Sequence, residues 1–339
     1  TYRLAAAEKF KGQFAATESI RQLELAAEAA QTMEDSSRRR ELLINIYNEL
    51  GAIRSIFFGW GDQTGQELFE KALSLTVTGD DVHSTFDAVR GLWNANMIQG
   101  NFPMVAVLTP QFNAVASRSN DPMMKIVAAN ASGAYRLWSG DFHRARHHFE
   151  EAADLYKLIE WTHEDRTPRT DPGIVTLCLS AWNLWFLGDR AAALRTIESA
   201  KERANVVGHP FDLAYAYSIS ASIWQCERKP DAAIGEAEQS IAIASENTSG
   251  MRYWIDRGGI LSGWATSTAG SFESGIDCIK EAITSYQNGG GGQLLPYART
   301  LLAECLLASD ALEEAEAELK KAAQALISDH PYYYDSERL

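Results

Sequence analysis

Around Gly133 the segment GAYRLWSGDFHRARHHFEEA alternates apolar and polar positions at helical spacing on both sides of a turn at Ser139-Gly140-Asp141. Small and large residues hold fixed places in it. From Gly133 the steps run seven to Gly140, five to Ala145, four to Phe149 and three to Ala152. The same steps lead from Ala181 to Gly188, Ala193, Ile197 and Ala200. They lead from Gly263 to Gly270, Gly275, Ile279 and Ala282, and from Ala303 to Asp310, Ala315, Leu319 and Ala322. A looser copy runs Ala221, Arg228, Ala233, Ala237, Ser240, and a degenerate one Trp93, Gly100, Val105, Thr109, Phe112. Self-similarity of this kind predicts stacked helical hairpins.

Two antiparallel helices approach closely only where neither presents a bulky group, which predicts a contact between Gly133 and Ala145. Ala152 then lets the next hairpin stack, and Phe149 fills the space between hairpins. This is the tetratricopeptide pattern, with repeats about 40 residues apart. The chain is therefore predicted to be all-α: a right-handed superhelix, or solenoid, of about eight tetratricopeptide-like helical hairpins forming one array over 1–339. The hairpins fall at about 1–36, 38–79, 82–118, 122–156, 171–206, 211–246, 252–287 and 296–327, with a partial ninth from Pro331. The step from Gly133 to Ala181 is longer, and the extra residues lie in a connection over Lys157 to Gly173. Asn288 and the four glycines after it read as a flexible connection, and Asp310 stands where glycine is usual.

Composition narrows the function. With 339 residues and 46% apolar content, the chain has no run of about 18 apolar residues, so no membrane span is predicted. A net charge of −14 repels nucleic acid and anionic membranes. Cys178, Cys226, Cys278 and Cys305 stand singly in helical segments without CxxC spacing, which predicts reduced, buried thiols and a cytoplasmic location. The chain starts at Thr1 and stops at PYYYDSERL, the ends expected of an excerpt from a longer multidomain protein.

GLW (91–93), TDPGIVTLCLSAWNLWFLGDRAAAL (170–194), GHPFDLAYA (208–216), GGILSGWATSTAGSFESGI (258–276), LPYARTLLAECLLASDALEEAEAEL (295–319) and the terminal YYYDSERL together carry a resemblance over nearly the whole chain. They resemble the tetratricopeptide-like region that follows the predicted ATPase in bacterial multidomain regulators, where it is fused to adenylate or guanylate cyclase domains or to LuxR-like or winged-helix DNA-binding domains. The DPG, AWxLWxLG and GHPF strings are its more specific part. The resemblance implies a sensing or partner-binding arm, with the nucleotide site and the output domain outside this chain.

The residues themselves announce no catalytic constellation. GxxxxGK[ST], GxSxG and HExxH are absent, and no cofactor is predicted. His143, His147 and His148 with Glu151 have chelating spacing, yet they fall on an outer helix among Arg144 and Arg146, where a solvated face is the better reading. Candidate binding residues come instead from the first helix of each hairpin, which lines the concave face. The spacing turns Arg90, Asn94, Asn130, Trp138, Trp182, Trp185, Tyr215, Arg257 and Trp264 inward. Aromatic anchors among polar groups suit a peptide, a protein partner or a small effector. The competing expectation is a structural or dimerisation scaffold, in which the inward Trp residues are core and an outer face carries the apolar patch.

Overall fold

The structure is a computed structural model that describes residues 16–77, 81–159, 171–246 and 251–327. Among them are fifteen helices and no strand. In chain order they are α1 (Ala16–Gln31), α2 (Ser36–Phe58), α3 (Gln63–Leu75), α4 (Val82–Gln99), α5 (Phe102–Ser117), α6 (Pro122–Trp138), α7 (Phe142–Lys157), α8 (Pro172–Phe186), α9 (Arg190–Val207), α10 (Pro210–Cys226), α11 (Pro230–Glu246), α12 (Arg252–Thr268), α13 (Phe272–Asn288), α14 (Leu295–Ala308) and α15 (Leu312–Ile327). From α2 onward they pair as seven antiparallel hairpins, roughly consistent with the predicted count. The part of the predicted first hairpin before residue 16, the tip of the long connection (160–170) and the partial ninth hairpin lie outside the described residues.

Local chemistry explains the helix ends. Carboxylates of Asp35, Asp62, Asp81, Asp121, Asp141, Asp171 and Asp189 each accept a backbone N–H in the first turn of the helix that follows. Pro122, Pro172 and Pro210 occupy the first helical position, where no N–H is needed. In six of the seven hairpins the inner turn ends the first helix with a residue of positive φ at one repeat position: Gly100, Gly140, Gly188, Arg228, Gly270 and Asp310. Each is the second position of the repeat spacing. The following N–H reaches back five residues, as in Asp141 to Arg136 O (2.9 Å) and Ala311 to Leu306 O (2.9 Å). Arg228 and Asp310 thus hold the conformation of the glycine they replace, at a steric cost of about 1 kcal/mol each.

Packing gives the small residues a further steric reason. A Cβ on Gly133 would lie 2.3 Å from the ring of Phe149, so the first position of the repeat is small to admit the fourth. Gly263 meets Ile279 in the same way, with a Cβ–Cγ1 distance of 2.7 Å. In α4–α5 the sizes are exchanged, Trp93 against Thr109, and the indole N–H donates to the Thr109 hydroxyl at 2.8 Å. Close backbone approach between the first and third positions, expected for Gly133 and Ala145, occurs at Gly263 and Gly275, where a Cβ on Gly275 would lie 2.5 Å from the Gly263 carbonyl.

The DPG and GHPF strings build one hairpin junction. Asp171 is 1% exposed; it accepts from Tyr156 (3.0 Å) and Arg203 Nε (2.9 Å), while its own N–H donates to Asp212 (3.2 Å). Gly173 is small because a Cβ there would lie 2.6 Å from the Tyr156 ring. Burial and the Asp171 carboxylate push the Tyr156 phenol well above its ordinary range. His209 makes no side-chain cap bond, and its Nδ1 is 3.8 Å from Asp212.

One hydrophobic core runs from Phe69 to Ala315 through all the later hairpins, and a smaller one, from Leu23 to Ile53, joins α1 to α2. The array also closes on itself. The Ile98 carbonyl, at the end of α4, accepts from Gly292 N (2.8 Å), Gln293 N (3.0 Å) and the Tyr286 hydroxyl (3.2 Å). The glycine run expected to be a flexible connection is this seam. A Cβ on Gly61 would lie 2.4 Å from Gly290 O, one on Gly290 2.2 Å from Gly61 O, and one on Gly292 2.1 Å from Gln99 O, so backbone touches backbone.

Candidate binding face

The first helices of successive hairpins, α6, α8, α10, α12 and α14, carry a connected set of aromatic and polar side chains. Trp138 on α6 meets Trp182 on α8 edge to face, with ring centroids 5.3 Å apart. The Arg257 guanidinium, from α12, lies 4.7 Å from the Trp182 ring centroid and donates to Ser222 on α10 at 2.9 Å. Trp185 donates its indole N–H to Glu227 at 2.6 Å, and Trp264 donates to Glu304 at 3.1 Å. The Tyr297 hydroxyl donates to Gln225 at 2.8 Å. Asn130 links α6 to α8 twice, donating to Pro172 O (3.0 Å) and accepting from the Thr176 hydroxyl (2.9 Å).

These polar ends are satisfied across hairpins, so the lining is one fabric and not a row of independent side chains. It is also covered: Trp182 and Arg257 are each 2% exposed, Trp264 is fully buried, and Trp138, Trp185, Asn130 and Tyr215 are buried with slightly more surface left. Tyr215 lies tilted against Trp254 with ring centroids 4.9 Å apart. Burial raises the Tyr215 phenol well above its ordinary pKa, with Arg257 acting the other way, and burial also raises the Cys178 thiol. Both groups are neutral at physiological pH.

The other two predicted residues stand apart. Arg90 and Asn94 are half-buried on α4, and the Arg90 guanidinium pairs with Asp87 one turn away at 3.1 Å. Sequence reasoning missed Glu227, Glu304 and Arg228, which crown the lining. Arg228 pairs with Glu304 and its guanidinium lies 5.8 Å from the Trp264 ring centroid. The signal was present in the charged Glu227-Arg228-Lys229 turn, but its register against α14 depends on superhelical winding.

Elsewhere, a polar cleft of about 670 Å³ opens beside the seam between α3 and the end of α13. His143 and His147 are exposed on α7, and His148 lies 3.6 Å from Glu151; among the described residues no three His, Cys, Asp or Glu side chains are grouped to hold a metal ion. None of the four cysteines is in a disulfide; Cys178 and Cys305 are buried, whereas Cys226 and Cys278 are half-buried and not buried as expected. No described helix is long and apolar enough to cross a membrane.

Neither a protein-family model nor a curated protein matches the sequence. Solved structures do share the fold. A Rap protein complexed with competence and sporulation factor is 14% identical with a TM-score of 0.63, covering 96% of this chain and 91% of that one. RapI in its apo form is 9% identical, with a TM-score of 0.62 over 85% of this chain and 97% of that one. NprR in complex with its cognate peptide NprX is 10% identical, with a TM-score of 0.56 over 90% and 83%. The chain is similar to these in architecture, an all-α solenoid of tetratricopeptide-like hairpins.

Proposed function

We propose that this chain is a non-catalytic regulatory arm that binds a peptide or protein partner, or a small effector, on the inner face lined by Asn130, Trp138, Trp182, Trp185, Tyr215, Arg257 and Trp264, with Arg90 and Asn94 toward one end. One observation carries the reading: large aromatic surfaces on the inner helices have polar ends bonded across hairpins, a set of donors and acceptors that a ligand could take over one for one. The neighbours crystallised with competence and sporulation factor and with NprX support it by analogy of fold. The charge of −14 favours a basic partner. The parent is a cytoplasmic bacterial signalling protein of the ATPase-linked cyclase or transcription-regulator type, this array is one domain of it, and ligand binding changes the array's curvature and so acts on adjoining domains.

A thermal-shift screen of basic peptides and metabolites against wild type and Trp185→Ala tests the reading, with Trp fluorescence alongside. A compound that raises the Tm of the wild type but not of the folded variant is the expected result. Failure of every compound on well-folded protein would sink it. A second reading, a dimerisation scaffold, is favoured by α5: this outer helix has no charged residue, and it exposes Met104 and Val107 while the inward Trp residues are covered.

A further inference from the structure

The lining described above cannot meet a partner while the array is closed, because Trp182, Arg257 and Trp264 have almost no surface. What closes it is narrow. Tyr286 and Ile98, 188 positions apart in sequence, touch through one hydrogen bond, and Gly292 and Gln293 add two more to the same Ile98 carbonyl. Around that carbonyl the contact is backbone on backbone with a glycine on at least one side, Gly61 on Gly290 and Gly292 on Gln99. Such a contact is largely backbone, held by three hydrogen bonds to one carbonyl. Next to it the two sides already stand apart in the polar cleft lined by Gln66, Glu67, Gln99 and Gln287. Neighbouring hairpins, in contrast, share a continuous apolar core. Contacts of the first kind open at far lower cost than contacts of the second.

We propose that the seam between the end of α4 and the glycine run after α13 is a latch: it parts as a unit while the hairpins stay folded, and its parting uncovers the inner aromatic face. This rests on the reading that the inner face is the binding face, and it supplies that face with a means of regulation. Opening is a shift between two states of one array, and anything that favours the open state admits the partner.

The test uses the full chain and no ligand, so its failure is separable from failure of the binding reading. In wild type, hydrogen exchange should be faster at the Gly292 and Gln293 amides, by about a hundredfold or more, than at amides inside α8 and α12. Gly61→Ala and Gly292→Ala place a methyl where only 2.4 Å and 2.1 Å are available to backbone oxygens. Each should increase the radius of gyration by small-angle scattering and the acrylamide quenching of Trp fluorescence, with helical circular dichroism retained. Gly235→Ala, at a site with nothing within 4 Å, should change neither quantity. Seam amides as protected as those of α8 would overturn the latch, whether or not the variants fold. So would folded seam variants that scatter and quench as the wild type does.

Discussion

Asp256 is a carboxylate in an unfavourable place, and its removal should stabilise the protein in a pH-dependent way. It is 4% exposed on α12, accepts a short hydrogen bond from the Ser285 hydroxyl, and lies 3.8 Å from Arg252. Burial outweighs both of these favourable contacts and pushes its pKa up to about 6, against 3.8 ordinarily. The folded state therefore binds this proton more tightly than the unfolded state does. Well below pH 4 the group is protonated in both states and costs nothing. As pH rises from about 4 to about 6 the unfolded chain ionises first, and stability falls; above that range the loss levels off at about two pKa units, or about 3 kcal/mol. Asp256→Asn keeps an acceptor for Ser285 and has no charge to bury, though its amide N–H groups cost about 1 kcal/mol of imperfect pairing. At pH 7.5 the variant should be more stable by about 1–2 kcal/mol. Urea denaturation of both proteins, followed by circular dichroism from pH 4 to 8, isolates the group, because all other titrations cancel in the difference. The advantage of the variant should grow through pH 4–6 and then stay constant. A difference independent of pH would refute the raised pKa, and a variant weakest at pH 8 would mean that Arg252 makes the carboxylate stabilising.

Other substitutions test the packing. Asp310→Gly should raise stability by about 0.5–1 kcal/mol, since the left-handed turn costs glycine nothing; an unchanged urea midpoint would show that Asp310 bears no strain. Asp171→Ala removes a cap and the carboxylate that holds Tyr156 and Arg203, and should cost about 3 kcal/mol or more. Gly133→Val should lower the thermal midpoint by several degrees because the new side chain meets Phe149, whereas Gly235→Ala should raise stability by about 0.5–1 kcal/mol through helix propensity alone.

The hairpins were legible along the chain. Caps, left-handed turns and the first and fourth positions of the repeat are local or belong to one helix pair, so a fixed spacing records them: Gly133 beneath Phe149, and the exchanged pair Trp93 and Thr109, are legible as size patterns once it is known which positions meet. That Trp182, Arg257 and Trp264 share the side of the first helices with one another was expected from the same helical periodicity, and they do pack into one buried set. What tertiary structure decided was how tightly the array winds. That depends on small rotations accumulated over many hairpins, and no single residue encodes them. Hence the spacing placed Trp182 and Trp264 on a concave face but did not show that the face is covered, paired Trp185 with no particular carboxylate, and marked Gly289–Gly292 as a loose connection. Only closure brings Ile98 within hydrogen-bonding distance of Gly292 and gives the glycines their steric reason, because two backbones meeting across a seam leave no room for a Cβ.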